Sequence, residues 1–341
     1  MSNMKIILAI MEYDYGDPKR GRSYEYYNFY ASLKEMGVDV EIFDYMSLLQ
    51  KHGKAGMNQL LLEKAKSQSP NIILFSLYTD QFDPNIILSL QNHTRTICFF
   101  HDDTWRKDFS RYWAKHFNVF TTPDIYGIRK YQKLGLQHAF HFPFGANLDL
   151  YKKKDSDKIL DVSFVGAFHP YRSWLINRLK KVGINVQAYG SGWPNGMVSL
   201  ERMIDIFNTS KINLNLSNSS NWDARYLCSS PRALVSRFRS PKTIEQLKAR
   251  HFEINSTGSF QLSYYVEGLE HYYEIGKEIA IYSDPDDFVE KIQMYLEDEP
   301  LRNEIAHNGY MRTNNSHSFA QRFQSLFSYM ASINPHSIAS E

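Results

Sequence analysis

The stretch Lys248-Ala-Arg-His-Phe-Glu-Ile-Asn-Ser-Thr-Gly-Ser-Phe260 decides how the second half of this chain is interpreted. Its pattern predicts the last turns of a helix, a polar stop from Asn255 to Gly258, and a strand that starts near Phe260. Upstream, Ser240-Pro241 predicts the start of that helix, because serine is a good N-cap and proline suits the first helical position. The stretch therefore predicts a helix–turn–strand unit of an α/β domain.

Two charged residues of this predicted helix, Arg250 and Glu253, are three residues apart and lie on one helical face. A cation and a carboxylate so placed can bind one ligand, and the glycine-bearing turn after them suits a nucleotide with a charged diphosphate. The alternative is an i,i+3 surface ion pair near the end of a helix, which contributes little stability. These residues alone favour neither interpretation.

The composition is that of an ordinary folded protein with two domains. The chain has 341 residues, of which 43% are hydrophobic and 22% charged, so it is not a disordered sequence. A net charge of +2 is too small to indicate nucleic-acid binding. Cys98 and Cys228 are far apart and form no CxxC pair, so we expect a reducing, cytoplasmic location and no metal framework. We predict neither a signal peptide nor a membrane span, since no apolar run approaches about 18 residues.

The first half alternates apolar segments of strand length with segments of helical length. The predicted strands are residues 5–11, 38–43, 72–77, 96–100, 119–121 and 139–142. Continuous apolar strands separated by amphipathic helices predict a parallel sheet covered on both faces. Ligands of such sheets bind beyond the carboxyl ends of the strands.

The densest group of ionisable side chains in this half, His101-Asp-Asp103, follows the fourth predicted strand. A histidine beside carboxylates can act as a base or orient a sugar hydroxyl, so His101 and Asp102 are the candidate catalytic residues. Adjacent aspartates at a strand end point apart and no third ligand follows, so we expect no metal site. The alternative is that Asp102 or Asp103 caps a helix that begins near Trp105.

The second half repeats the alternation after a charged segment, residues 149–157, that we interpret as a linker. Its first strand ends at Gly166, which allows close backbone approach, and Arg172 in the next helix can reach a phosphate there. The following strand ends at Gly190. The last segment, residues 318–333, has apolar side chains at helical spacing and is expected to pack on the first domain.

Residues 217–239 show no periodic pattern and are rich in serine and asparagine, then in arginine. A long loop of this kind is typically a lid, a binding loop or a disordered segment. Its positive charge suits an anionic ligand or a phospholipid-linked acceptor, although solvated arginines are the simpler explanation.

Ordered motifs over residues 160–330 resemble the C-terminal domain of GT-B glycosyltransferases. The resemblance is to the spore-maturation (CgeB-like) group and the wider glycosyl transferases group 1 set. The matching pieces are Phe164-Val-Gly166, Tyr189-Gly-Ser-Gly-Trp193, Lys211-Ile-Asn-Leu-Asn215, Arg250-His-Phe-Glu253, Gly276-Lys-Glu-Ile-Ala-Ile-Tyr-Ser-Asp284 and Asn308-Gly-Tyr310. It implies two Rossmann-like doubly wound domains that face each other across a cleft. Residues 1–150 would form the acceptor side, 151–317 the donor side, and 318–341 a helix and tail that cross back to the first domain.

The resemblance also implies a function: transfer of a sugar from a nucleotide-sugar donor, UDP-linked donors included, to an acceptor hydroxyl on a glycan, a lipid or a protein. Neither a metal nor another cofactor is expected, and the implied stereochemistry is retention. Together with the cysteines and the net charge, we expect a location in the cytoplasm or at the inner face of the membrane, with peripheral membrane contact and no nucleic-acid partner. Two alternatives remain, a GT-B-fold sugar-nucleotide epimerase and a non-enzymatic sugar-binding protein of the periplasmic type.

The donor-binding residues implied by the resemblance lie in the second half. Glu253 would hold the ribose hydroxyls, while Arg250 and Arg172 neutralise the diphosphate. The other implied donor contacts are backbone groups, at Gly166, Gly190, Ser256, Gly258 and Ser259. Glu245 precedes Glu253 by eight residues, which is the E-x7-E spacing of many retaining members. Because Glu245 is predicted to lie in mid-helix, we interpret this spacing as a coincidence.

Overall fold

The computed structural model describes residues 4–219, 222–240, 242 and 244–333. Contacts within the chain divide it into two units. One unit runs to Pro143 and includes the segment from Phe319 onward, and the other spans Phe144–Ser318. Each unit contains one parallel sheet flanked in sequence by helices, so the predicted α/β class with two doubly wound domains is confirmed.

The sheet of the first unit has six parallel strands in the order β2-β1-β3-β4-β5-β6. They are β1 (Lys5–Ile10), β2 (Asp39–Asp44), β3 (Ile72–Ser76), β4 (Arg95–Phe99), β5 (Val119–Thr122) and β6 (Ala139–His141). All five residues of β3 are buried, as expected for an inner strand of a sheet covered on both faces. All six predicted strands are present, with ends displaced by a single residue at most.

The first five helices of the chain lie between these strands. They are α1 (Ala31–Glu35), α2 (Tyr45–Gln68), α3 (Pro84–Leu90), α4 (Lys107–Ala114) and α5 (Gly127–Gln132), with a π-helical turn at Tyr26–Tyr30 before α1. The sequence explains where α3 begins, because Asp83 caps it and Pro84 occupies its first position.

The sheet of the second unit has five parallel strands in the order β11-β10-β9-β7-β8. They are β7 (Leu160–Val165), β8 (Val186–Tyr189), β9 (Ser210–Asn215), β10 (Gln261–Tyr264) and β11 (Ala280–Tyr282). The helices of this unit are α6 (Pro170–Lys181), α7 (Leu200–Thr209), α8 (Ala224–Leu227), α9 (Pro231–Arg239), α10 (Arg250–Ser256), α11 (Pro285–Glu297) and α12 (Glu299–Ser316).

Two predictions for the second unit are wrong. Residues 217–239 contain the helices α8 and α9, because Asp223 and Ser230 supply N-caps and Pro231 fits the first position of α9. Ser240 therefore ends α9 and does not start the next helix. That helix, α10, begins only at Arg250. Pro241 lies outside the described residues.

The last helix, α13 (Phe319–Ser332), packs in the first unit, as predicted. The Phe319 ring lies 5.4 Å from that of Phe29, and the Phe323 ring lies 5.4 Å from that of Phe142. The Arg95 guanidinium donates to the Met330 carbonyl near the end of the helix. Within the described residues, no helix is both long and apolar enough to cross a membrane.

Candidate functional site

Helix α10 places the two charged residues of the opening stretch at the second sheet. Arg250 begins the helix, and every residue from His251 to Ser256 is buried. The Arg250 Nε lies 3.5 Å from the carbonyl oxygen of Val165, the last residue of β7. Arg250 is thus at the carboxyl edge of the sheet, where parallel α/β sheets bind ligands.

Arg250 and Glu253 form an ion pair across one turn of α10. The carboxylate side chain is 1% exposed, whereas the guanidinium side chain is 29% exposed. The Tyr151 hydroxyl donates to Glu253 Oε1 at 2.9 Å, so Glu253 holds both Tyr151 and Arg250. The pair is therefore not a surface ion pair: it is a buried carboxylate that fixes a partly accessible cation.

The two glycines predicted to admit a ligand lie against each other at the ends of β7 and β8. Gly166 N–H donates to the Tyr189 carbonyl at 2.9 Å, and Trp193 Nε1 donates to the Gly166 carbonyl at 2.9 Å. Gly190 has φ +128, and a Cβ at this position would lie 2.7 Å from the Gly166 carbonyl carbon. The close approach that both glycines permit is thus between the two loops, and their contact with a donor stays a prediction.

Arg172 bonds to the protein backbone at the carboxyl ends of two strands. Its Nη1 donates to the Ala167 carbonyl at 2.8 Å, and its Nη2 donates to the Leu216 carbonyl at 2.8 Å. Burial lowers the pKa of Arg172 to about 10. The guanidinium ties the loop after β7 to the end of β9, and its contact with a phosphate stays a prediction.

Glu245 lies in a non-helical segment before α10, contrary to the mid-helix position that we predicted. The Ser217 hydroxyl donates to its Oε1 at the carboxyl end of β9. Burial raises the pKa of this carboxyl, against the opposing effect of Ser217 and Lys248. The reason for treating its spacing from Glu253 as a coincidence is thereby removed.

The polar stop after α10 is buried, and its hydroxyl groups bond within the unit. Ser256 Oγ donates to the Tyr151 carbonyl at 2.8 Å, and Ser259 Oγ donates to the Phe207 carbonyl at 2.7 Å. Gly258 has φ +66, and its N–H donates to the Asn255 carbonyl at 3.0 Å. These residues anchor α10 to neighbouring segments, while their predicted backbone contacts with a donor are untested.

In the first unit, His101 belongs to a cluster of three side chains beyond β3 and β4. Its Nε2 lies 2.8 Å from Glu25 Oε1 and 2.9 Å from Ser76 Oγ, and Ser76 donates to Glu25 at 2.6 Å. Burial alone would raise the pKa of Glu25, but the hydrogen bond and charge of His101 outweigh it and hold that pKa low. A buried carboxylate thus fixes the ring of His101, the candidate base.

The two aspartates after His101 have different surroundings. Asp102 is partly exposed, and its carbonyl accepts from the Arg106 N–H at 2.9 Å. Asp103 is buried and accepts from the Tyr131 hydroxyl at 3.2 Å. Neither caps α4, whose N-cap residue is Arg106, so the capping alternative is wrong. The described residues hold no group of three or more His, Cys, Asp or Glu side chains that could bind a metal ion.

The buried carboxyl of Asp103 predicts a pH-dependent stability. Burial raises its pKa to about 7, from the usual 3.8 of an aspartate. Between these values the folded chain holds a proton that the unfolded chain has lost, so the free energy of unfolding falls as the pH rises, by up to about 1.4 kcal/mol per unit. Between about pH 5 and about pH 7, the free energy of unfolding measured by urea titration should fall by about 2 kcal/mol more in the parent than in Asp103→Asn. The exposed control Asp108→Asn should follow the parent. Equal losses in the parent and Asp103→Asn would contradict a buried proton at this site.

Comparisons with known proteins agree with this architecture. The sequence model of a family described as "Glycosyl transferase-like" matches residues 172–328. Solved structures with a similar fold include Anabaena Alr3699/HepE in complex with UDP-glucose, at 12% identity and TM-score 0.63, covering 97% of this chain and 100% of that one. Another is sucrose-phosphate synthase from Thermosynechococcus elongatus, at 10% identity and TM-score 0.65, covering 96% and 99%. A glycosyltransferase from Rickettsia africae ESF-5 matches at 10% identity and TM-score 0.58, covering 99% and 100%. No curated protein sequence matches the chain.

The protein has the GT-B fold of these structures, and its residues 172–328 match the glycosyl transferase-like family model.

Three residues contact candidate site residues but were not identified from the sequence. Tyr151 was assigned to a linker, although it is buried and bonds to Glu253. Glu25 and Ser76 lie 76 and 25 residues from His101 in the chain, and no local motif marks them. The one available signal for Ser76 is its place at the carboxyl end of a predicted strand, next to the strand that leads to His101.

Proposed function

We propose that this protein is a glycosyltransferase, which moves a sugar from a nucleotide-sugar donor to a hydroxyl group of an acceptor. The observation that carries the proposal is Arg250, a partly accessible guanidinium that Glu253 holds at the carboxyl edge of the second sheet. Negative charge develops on the diphosphate as the bond between the sugar and the donor breaks, and a fixed cation stabilises that charge without reorganising. The proposed reaction needs no metal ion for this step.

UDP is the proposed nucleotide of the donor. Solved structures of the same fold support it, because they are described as complexes with UDP, with UDP and glucose, and with UDP-glucose. Arg250 would bind the diphosphate. Glu253 would reach the ribose hydroxyls only by exchanging its bond with Tyr151 or Arg250, since both of its oxygens already have partners. Glu245, eight residues before Glu253, is a second carboxyl at the carboxyl edge of this sheet, where it accepts from Ser217.

His101 is the proposed contact to the transferred sugar or the acceptor. Its side chain is 25% exposed, and Glu25 and Ser76 hold its Nε2, so the imidazole is both accessible and oriented. A carboxylate behind a histidine stabilises the charged ring when it takes up a proton. Asp102, the neighbouring partly exposed carboxylate, is proposed to assist at the same strand end.

The remaining features of the proposal rest on the resemblance of the motifs. They are retention of configuration, a CgeB-like grouping, and an acceptor that is a glycan, a lipid-linked group or a protein. The proposed location is the cytoplasm, at the inner face of a membrane. Donor turnover without any acceptor would instead indicate an epimerase.

A thermal-shift screen against UDP, GDP, dTDP, ADP and CMP tests the donor. A nucleotide that binds the folded state stabilises it by mass action, by about 2.7 kcal/mol at a hundredfold excess over the dissociation constant. We expect UDP to raise the melting temperature by a few degrees and CMP, which has no diphosphate, to leave it unchanged. Stabilisation by none of the diphosphates would contradict the proposal, and equal stabilisation by all would contradict a uridine-specific site.

A further inference from the structure

The two ends of one surface segment of the second unit are joined to each other by hydrogen bonds. Ser219 Oγ donates to the Ile244 carbonyl at 3.0 Å, and Lys248 Nζ donates to Asn218 Oδ1 at 2.6 Å. Between these contacts the chain leaves the end of β9, forms α8 and α9, and returns to the segment before α10. We call residues 222–240 together with Ile244 the α9 surface, apart from its buried members.

The α9 surface exposes large apolar side chains. Phe238 is 72% exposed and Trp222 is 65% exposed, and their rings lie 6.2 Å apart. The other exposed apolar side chains are Leu234, Val235 and Ile244. Leu234 and Phe238 are four residues apart and share one face of α9, whereas Ala233 is buried. The apolar face of this helix therefore points away from the protein.

The same helix carries positive charge and no negative charge. Arg232, Arg237 and Arg239 lie on α9, which contains no aspartate or glutamate. The Arg237 guanidinium lies 4.0 Å from the Trp222 ring centroid, which is a cation–π contact. Residues 222–240 contain one acidic residue, Asp223, and it is paired with Arg225.

We propose that the α9 surface docks on an anionic lipid membrane. A helix with arginines beside exposed leucine, valine, phenylalanine and tryptophan is the kind that lies in a membrane interface, with its apolar side chains among the lipid chains and its cations near anionic headgroups. An acidic protein groove would match the same chemistry, since protein interfaces are also rich in tryptophan, phenylalanine and arginine, and the vesicle experiment below distinguishes the two. One short helix binds weakly and reversibly, so docking depends on ionic strength.

Docking would hold the candidate donor site beside the lipid surface. The Ser219–Ile244 and Lys248–Asn218 hydrogen bonds join the two ends of the segment that carries α9, and the chain continues from it into Glu245 and α10. This consequence rests on the proposed function, and on the lipid-linked group among its three classes of acceptor. The docking itself does not, since it depends only on the α9 surface and the lipid.

Vesicle flotation of the full chain tests the docking. Vesicles of phosphatidylcholine mixed with phosphatidylglycerol should carry the protein upward, and vesicles of phosphatidylcholine alone should carry at least about tenfold less. Leu234→Ser/Phe238→Ser removes the apolar contacts, and Arg232→Ser/Arg239→Ser removes two charges. Each double variant should bind anionic vesicles about tenfold or more weakly than the parent does. Added salt should weaken the binding of the parent.

The matched controls are Leu88→Ser and Arg129→Ser in the first unit. Leu88 is 44% exposed, close to the 47% of Leu234, and both control variants should float like the parent. UDP-induced thermal shifts of the same variants separate membrane docking from donor binding. A variant that no longer floats but keeps the thermal shift of the parent has lost docking alone. No flotation of the parent, equal flotation with both vesicle types, or an equal loss in the controls would overturn the proposal. A dimer of the parent in light scattering that Leu234→Ser/Phe238→Ser abolishes would also overturn it, by assigning the face to a second copy.

Discussion

Replacing Arg250 by alanine is expected to weaken UDP binding by about tenfold to a hundredfold, which is the usual loss when a charge-assisted hydrogen bond to an anion is removed. The same change should lower the free energy of unfolding by about 2 kcal/mol, because Glu253 is 1% exposed and would lose its cation. Calorimetric titration with UDP and urea unfolding measure the two effects separately.

A double variant, Arg250→Gln/Glu253→Gln, distinguishes binding from stability. Two neutral amides can bond to each other and to Tyr151, so the buried carboxylate is no longer left without a cation. We expect this variant to recover most of the lost stability and none of the lost affinity. The control is Arg178→Ala, an arginine of α6 that is paired with Asp286. Affinity in Arg250→Ala equal to that of the parent would contradict the assignment of the donor site.

The largest loss of stability is expected from Gly190→Ala. Gly190 combines a φ of +128, which L side chains rarely adopt, with the Gly166 backbone where a Cβ would lie. Backbone strain and overpacking each cost about 1–3 kcal/mol, so we expect a total loss of about 3 kcal/mol or more. The loops after β7 and β8 would move apart, and UDP binding should fall with them.

Gly183→Ala is the matched control for this prediction. Gly183 also has a positive φ, of +82, but a Cβ there meets nothing within 4 Å. Alanine at this position therefore introduces the strain of a positive φ without the clash, and it should cost about 1 kcal/mol. Urea unfolding of both variants separates the two contributions. An equal loss of unfolding free energy in Gly190→Ala and Gly183→Ala would show that the close contact between Gly190 and Gly166 adds nothing to the cost of the substitution.

Strands and most helices could be predicted from the chain because their signals are local. Runs of apolar residues marked all six strands of the first sheet, and apolar side chains at helical spacing marked α13. The segment 217–239 was misjudged because its helices are short, have few buried residues and expose their apolar side chains. A hydrophobic pattern predicts a helix only where one face is buried.

The candidate site shows where local reasoning stops. The motifs placed Arg250 and Glu253 on one helix, and the structure confirms it. The motifs did not indicate that the Arg172 guanidinium would donate its hydrogen bonds to backbone carbonyls of the loops. They also assigned Tyr151 to a linker, since its partner Glu253 is 102 residues away.

By itself, the sequence determined the α/β class, the strands, and the helical spacing that joins Arg250 to Glu253. The tertiary structure alone decided that Glu253 is buried, that Gly190 meets Gly166, and that Glu25 holds His101. The physical reason is range. A strand or a helical turn follows from neighbours within a few residues, whereas burial and hydrogen-bond partners depend on which distant segments the parallel sheets bring together.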